Sequence, residues 1–402
     1  MAKKILKKLS LCKIFNRVSE RLNVIKQAPE NDIPALDSYI QNQLKNALHP
    51  DVQHVIISEI IEHSNDVKTF VFTPDKEAGT EKLAYFSAGQ YICIRLQIGD
   101  AKISRPYSLS SSPKESLEGK YTLTIKRVDG GLCSQYVLDN WTVGTKVNIS
   151  GPLGVFTYEP LRDAKTVIGV AGGSGITPFY SLAKAIADGD EDCNLTLLYG
   201  SRTKADILFH EEFKAIEAKC DKFKLVNVLS NEDAEDCEKG FITADLIKKY
   251  APEGDYSIFL CGPQAMYNFA DKEIAKLGIR QKFVRHELFG EYHNPEKNDD
   301  YPQEAVGRKF KLTVIICGEK QEIECDANET LLVAMEKHGI AAPSECRSGI
   351  CGYCHSRLVS GNVYVPKSVD GRRLADLEYG YVHPCCTFPI GDVVIDVPPM
   401  KE

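Results

Sequence analysis

Cys346, Cys351 and Cys354 stand in a Cys-x4-Cys-x2-Cys spacing near the end of the 402-residue chain. That spacing serves a two-iron, two-sulfide cluster completed by a distant fourth cysteine. Soft thiolates suit such iron. Gly349 and Gly352 let the loop bend tightly and offer amides to sulfur. Structural zinc also takes four cysteines, but usually as two short pairs, and the second pair is missing here. Cys385 and Cys386 are adjacent, so the residues alone leave the fourth ligand open between them.

The text around that pair, Gly-Tyr-Val-His-Pro-Cys-Cys-Thr-Phe-Pro from Gly380 to Pro389, resembles the plant-type ferredoxin family. There the last ligand stands four positions before a proline. The resemblance covers about residues 308–399 and implies a β-grasp fold. With Pro389 as that proline, it also implies Cys385 as the fourth ligand beside Cys346, Cys351 and Cys354. The remaining cysteines read as small buried hydrophobes.

A second constellation is Arg105, Pro106, Tyr107 and Ser108 at the end of a β-type run. It supplies a cation for a pyrophosphate, an aromatic face for a ring system and a hydroxyl for a reactive nitrogen. Lys126 closes another run, and Gly130, Gly131, Leu132, Cys133 and Ser134 follow with small residues whose amides suit phosphate. Either segment alone also reads as a barrel turn with a surface cation. A third constellation is Gly172-Gly173-Ser174-Gly175-Ile176-Thr177-Pro178, between a strand and a helix. Glycines there let a phosphate approach backbone amides and the helix dipole. Cys261, Gly262, Pro263 and Met266 end another strand, where open α/β sheets bind ligands. Glu287 and Phe289 close the region.

Together these segments resemble the ferredoxin–NADP reductase superfamily. The resemblance implies that Arg105, Tyr107 and Ser108 contact a flavin, with residues 130–134 on its pyrophosphate. FAD is favoured over FMN. It further implies that Gly173, Thr177 and Pro178 hold the nicotinamide nucleotide, and that Cys261, Gly262, Pro263 and Met266 lie beside the nicotinamide. Phe289 would cover the flavin and yield to nicotinamide, with Glu287 nearby. Ser108, Cys261 and Glu287 are the candidate catalytic residues. Phe289 and Cys261 each also read as ordinary core residues. Ser201 and Arg202 could face a 2′-phosphate, but Glu232 and Asp233 would repel one, so NADH is favoured over NADPH.

The elements that must position these residues are legible. Short runs between residues 51 and 160, parted by turn residues, suggest a small antiparallel barrel. Residues 161–290 alternate strand and helix, with helical patterns at 178–186, 205–219 and 265–276, implying a parallel sheet with helices on both faces. Residues 291–308 are polar with two prolines and read as a linker. Residues 309–402 hold the cysteine loop, with Asn328 expected to cap a helix over 329–338.

The composition is that of an ordinary globular protein, 43% hydrophobic and 26% charged. The net charge of −7 argues against a nucleic-acid partner. Residues 1–26 carry a net +7, leaving −14 for the rest. The basic start, with Ile5, Leu9, Cys12 and Phe15 at helical spacing, opens an extension over 1–50 suited to a partner or to peripheral contact with an anionic membrane. No secretory core or spanning run is present, so the expectation is a cytoplasmic protein. The function implied is an oxidoreductase that takes a hydride from NADH onto FAD and passes single electrons through the cluster to a partner metalloprotein, an oxygenase or reductase component. A permanently docked subunit of a larger enzyme is the alternative.

Overall fold

The computed structural model describes residues 11–27 and 38–400. Residues 1–10, with the expected positions Ile5 and Leu9, lie outside the described residues, as do the side chains of Cys12 and Phe15. The chain divides into two units, 1–47 and 48–402. The first contains the helix Leu11–Gln27 and most of the helix Ile40–Leu48. Val18 and Leu22 sit four apart on the first helix and are both half exposed, so its apolar stripe is uncovered there. Among the described residues, no helix is long and apolar enough to cross a membrane.

In the second unit, β1 (Gln53–Ser64), β2 (Val67–Pro74), β3 (Tyr91–Ile98), β4 (Ala101–Ser108), β5 (Tyr121–Lys126) and β6 (Lys146–Ile149) form one antiparallel sheet, ordered β4-β3-β6-β1-β2-β5. A bridge between Leu109 and Leu123 joins the two edges and closes the sheet into a barrel. Alternation explains the closure: Ile92 and Ile94, Leu123 and Ile125, and Val147 and Ile149 all point inward. Each such side chain stabilises by about 1.5–3 kcal/mol. Trp141 plugs one end, edge-on to Phe70 and Phe72. The expected extension over 1–50 ends slightly too late: the Pro50 carbonyl accepts from Gly151 N (2.9 Å), which ties Pro50 to the barrel.

A second sheet is wholly parallel, with β7 (Thr166–Gly172), β8 (Asn194–Ser201), β9 (Phe223–Leu229), β10 (Glu238–Lys239), β11 (Ser257–Cys261) and β12 (Val284–Glu287) ordered β10-β9-β8-β7-β11-β12. Its strands are apolar on both faces. Val167 and Leu197 enter one core, and Ile168 and Leu198 the other. The pattern at 205–219 resolves into a 3₁₀ turn, Lys204–Asp206, and a shorter helix, His210–Glu217. The break comes from Thr203 and Asp206, which cap the turn reciprocally.

The last module is a mixed sheet of β13 (Lys309–Ile316), β14 (Glu319–Asp326), β15 (Ser356–Ser360), β17 (Tyr381–Val382) and β19 (Val393–Asp396), ordered β14-β13-β19-β15-β17. β16 (Val363–Tyr364) and β18 (Phe388–Pro389) make a small second ribbon. The helix Leu331–Lys337 packs Leu331, Leu332 and Met335 onto Leu312, Val314 and Ile395, as in a β-grasp. Thr330, not Asn328, caps this helix, accepting from Val333 N at 3.3 Å.

Residues 291–308 connect the modules but do not hang free. Tyr301 is buried and donates to the Ala327 carbonyl (3.0 Å), while Tyr292 packs against the last module. These tyrosines anchor a segment whose charges had suggested a solvated linker.

Candidate functional site

Four elements meet around the candidate flavin site. β4 pairs with β3 so that Tyr91 faces Ser108 and Ile94 faces Arg105. Pro106 and Ser108 are buried, while Arg105 and Tyr107 project together from the other face, half-buried. The Tyr107 hydroxyl donates to Cys133 Sγ (3.8 Å), joining β4 to the helix Leu132–Asn140. That helix has no side-chain N-cap, so its first amides are unclaimed by one. Before it, Val128 N donates to Ser134 Oγ (3.1 Å), and Gly130 adopts φ +71°. The strand motif and the glycine loop thus share one place, as a flavin dinucleotide needs. Lys126 ends β5, half-buried.

The candidate nicotinamide site lies where β7 and β11, neighbours in the parallel sheet, end. Gly173 has φ +54° and opens a 3₁₀ turn, after which the helix Thr177–Asp188 begins with Pro178 in its first turn. A side chain at Gly175 would overlap the Cys261 carbonyl, and one at Gly172 or Gly262 would overlap Met266 Sδ. Gly175 therefore serves the close approach of two backbones, whereas at Gly172 and Gly262 the obstacle is the movable end of the Met266 side chain. Cys261 stands beside Glu287 in register, and the Tyr267 hydroxyl donates to the Glu287 carbonyl. Burial pushes the Glu287 carboxyl up to about 8. Phe289 reaches back to the barrel and meets Tyr91 edge-on, with centroids 5.0 Å apart. Phe289 is thereby placed next to Ser108's cross-strand partner.

At the far edge of the same sheet, Ser230 N and Asn231 N donate to the carbonyls of Ser201 and Arg202. Arg202 is largely exposed, 3.8 Å from Asp206. Lys204 pairs with Asp236 (3.2 Å), and its amide donates to Glu232 (2.7 Å). Asp233 pairs with Lys239.

The cysteine loop brings its thiols together in a chain. Cys346 is in thiol contact with Cys351 and Cys385, and Cys385 Sγ lies 3.4 Å from Cys354 Sγ. Cys346 Sγ accepts from Ser348 N (3.5 Å) and Cys351 N (3.4 Å), and Cys351 Sγ accepts from Tyr353 N (3.4 Å). Amides directed at sulfur fit thiolates that share a negatively charged cluster. Among the described residues no three His, Cys, Asp or Glu side chains are grouped for a single ion. A two-iron cluster asks for thiols in pairs instead. Cys386 Sγ also touches the Cys385 thiol, and it donates to the His383 carbonyl (3.5 Å). Of the other cysteines, Cys93, Cys133, Cys193 and Cys325 are buried as expected; Cys220 and Cys237 are only half-buried and Cys317 is exposed at a turn.

Three charged residues escape a reading by motif. Arg347, between two ligand-loop positions, is fully buried with φ +59°. It donates to Glu336 (2.7 and 2.9 Å) and to Glu291. Arg105 Nη2 lies 3.2 Å from the same Glu291, and its Nη1 lies 3.4 Å from Glu336. Burial pushes the Glu291 carboxyl up, but Arg347 and Arg105 outweigh it and hold the group below its usual range. An arginine inside a glycine- and cysteine-rich loop was the available signal. Its carboxylate partners are 11 and 56 positions away and carry no local mark.

Three family profiles match the chain: an oxidoreductase FAD-binding domain over residues 54–158, an oxidoreductase NAD-binding domain over 170–272, and a 2Fe-2S iron-sulfur cluster binding domain over 314–390. The chain is 28% identical to the glycine betaine monooxygenase reductase subunit of Pseudomonas aeruginosa, over 84% of this chain and 93% of that protein. It is 26% identical to the NADH oxidoreductase HCR of Escherichia coli, over 77% and 88%. Phthalate dioxygenase reductase, a solved structure at 22% identity, has the same fold with a TM-score of 0.62, covering 87% of this chain and 98% of that one. The barrel, the parallel sheet and the thiol loop are each matched in order. The chain is a ferredoxin–NADP reductase superfamily oxidoreductase, carrying FAD- and NAD-binding domains and a C-terminal 2Fe-2S domain, that passes electrons from a nicotinamide nucleotide to a partner.

Proposed function

We propose that the electron donor is NADH and that the acceptor is a metal-containing oxygenase or reductase component, reached through the exposed side of the cluster loop. The observation that carries this is the two-sidedness of the loop. Cys346 is buried in one group with Tyr91 and Cys93 of the barrel, while Cys351 is exposed. One edge of the ligand set therefore faces the flavin strand and the other faces solvent. The relatives support the acceptor class, since one is named a monooxygenase reductase subunit.

FAD, when bound, accepts a hydride's two electrons together and releases them singly, which a one-electron cluster requires. This chain's residues position rather than react. Residues 130–134 would hold the phosphates, Tyr107 would lie on the ring, and Ser108 would hold a hydroxyl at the reactive nitrogen; Arg105, expected on the phosphates, is instead paired with Glu291 and Glu336. Gly173, Thr177 and Pro178 seat the coenzyme's phosphates. Cys261, Gly262, Pro263 and Met266 line the nicotinamide's place, where Glu287 keeps a neutral carboxyl. Phe289 excludes water from the flavin face until nicotinamide displaces it. Cys346, Cys351, Cys354 and Cys385 ligate the cluster.

For coenzyme choice, the two cations that follow β8 each already have a carboxylate: Arg202 has Asp206, and Lys204 has Asp236. A 2′-phosphate would have to compete with them, which supports NADH. The basic segment 1–26 is read as a docking arm for the partner or an anionic membrane surface.

The test is Cys351→Ser in the full chain. NADH–ferricyanide activity persists with FAD retained, while cytochrome c reduction collapses. Loss of both with FAD retained, or of neither, overturns the order FAD, cluster, acceptor.

A further inference from the structure

Arg105, Glu291, Arg347 and Glu336 close a ring of two positive and two negative groups drawn from three parts of the chain. Arg105 comes from β4 of the barrel, Glu291 from the connecting segment, and Glu336 and Arg347 from the cluster module. Each carboxylate is paired with both arginines, by hydrogen bonds except between Arg105 and Glu291, which are held at ion-pair distance. Beside the ring, Gly339 of the cluster module passes so close to the Asp100 carbonyl of the barrel that a Cβ would sit 3.2 Å away.

We propose that this ring fixes the cluster module on the barrel, and that Glu291, Glu336 and Arg347 are positioning residues for electron transfer from FAD to the cluster. The inference rests on the FAD and 2Fe-2S assignment above. Its first support is connectivity. Arg105 lies on the strand that carries Tyr107 and Ser108, and Arg347 directly follows the ligand Cys346, so the two ends of the electron path are pinned by one set of ion pairs. The second is burial. Arg347 is fully buried and the Glu336 carboxylate nearly so, which shields the ring from salt. The third is the cost of parting. If the cluster module swung away, Arg347 would lose Glu291 and Arg105 would lose Glu336, leaving charges uncompensated in partly buried sites. A neutral, closed ring favours a fixed relay over a swinging carrier. The step it serves moves one electron from reduced FAD to one ferric ion of the cluster, which becomes ferrous. The step would occur twice per hydride, the acceptor reoxidising the cluster in between, and the proton delivered with the hydride would leave the flavin nitrogen for solvent as FAD is restored.

The test uses the holoprotein and two variants, Glu291→Gln and Glu336→Gln, in which ring charge is lost with little change in shape. Flavin and cluster content are read from visible and EPR spectra. Anaerobic mixing with NADH then gives the rate of flavin reduction and the rate of cluster reduction separately. Amide hydrogen exchange over 99–108 and 338–346 reports the seat itself, independent of turnover. The expected result is an unchanged flavin-reduction rate, cluster reduction slowed about tenfold, and faster exchange in both segments. An unchanged cluster-reduction rate in a variant that retains both cofactors overturns the proposal, whatever the exchange shows. If Glu336→Gln loses its cluster, Glu291→Gln decides alone, because Glu291 lies outside the cluster module's sheet. A parent protein without flavin or cluster signals would overturn the underlying assignment, and this inference with it.

Discussion

The thiols of Cys354 and Cys385 lie 3.4 Å apart although 31 positions separate them in the chain. β15 and β17, which pair antiparallel, begin just after Cys354 and end just before Cys385, and this pairing brings the two together. The adjacent Cys386 turns its thiol toward the His383 carbonyl and toward Gly349, where a side chain would strike its sulfur.

Cys385→Ser should therefore abolish or distort the 2Fe-2S absorption and EPR spectrum. Cys386→Ser should leave the spectrum in place and cost only packing, about 1 kcal/mol of stability. The reverse pattern would move the fourth ligand to Cys386.

The wild-type protein should show a kcat/KM at least about tenfold higher for NADH than for NADPH, roughly 1.4 kcal/mol of discrimination. Neutralising Glu232 and Asp236 together as Gln and Asn frees Lys204 from its ion pair. NADPH use should then rise severalfold with NADH use little changed. A wild type that prefers NADPH would show that Arg202 governs the site despite Asp206.

Glu287 gives a pH signature. Its carboxyl, raised to about 8 by burial, stays protonated in the folded state while the unfolded chain releases the proton near 4.5. Between those values the folded state binds more protons, so stability falls as pH rises and levels off above about 8. Each pH unit in that window costs on the order of 1.4 kcal/mol. Glu287→Gln removes the dependence. Its melting temperature should gain on the wild type steadily from pH 5 to 8, and a constant difference across that range would contradict a buried neutral carboxyl.

Deleting residues 1–47, the first unit, should leave FAD content and NADH–ferricyanide activity near those of the full chain. Pro50 and Asp51 must be kept, because their carbonyls accept from Gly151 N and from Arg95 on the barrel, each at 2.9 Å. Co-sedimentation with anionic vesicles, or binding to the partner protein, should fall. Loss of flavin on deletion would make this unit part of the flavin domain.

Local chemistry made much of this protein legible from its sequence. The Cys-x4-Cys-x2-Cys loop, the strand-ending Arg105 to Ser108 and the glycine turn at 172–175 each need particular residues at fixed short spacings. The chain writes such needs contiguously. Alternating apolar runs likewise marked the barrel, and strand–helix rhythm marked the parallel sheet. Long-range partners leave no such trace. Nothing near Arg347 announces Glu291 or Glu336, and the polar text around Tyr301 hid the burial that anchors the connecting segment. Between Cys385 and Cys386, the spacing to Pro389 pointed to Cys385 only through a family resemblance, and the 3.4 Å approach of Cys385 to Cys354, made by strands far apart in sequence, supports that reading. Tertiary structure decided these matters because an ion pair or a thiol pair depends on where two strands come to rest against each other. That is set by how the modules pack.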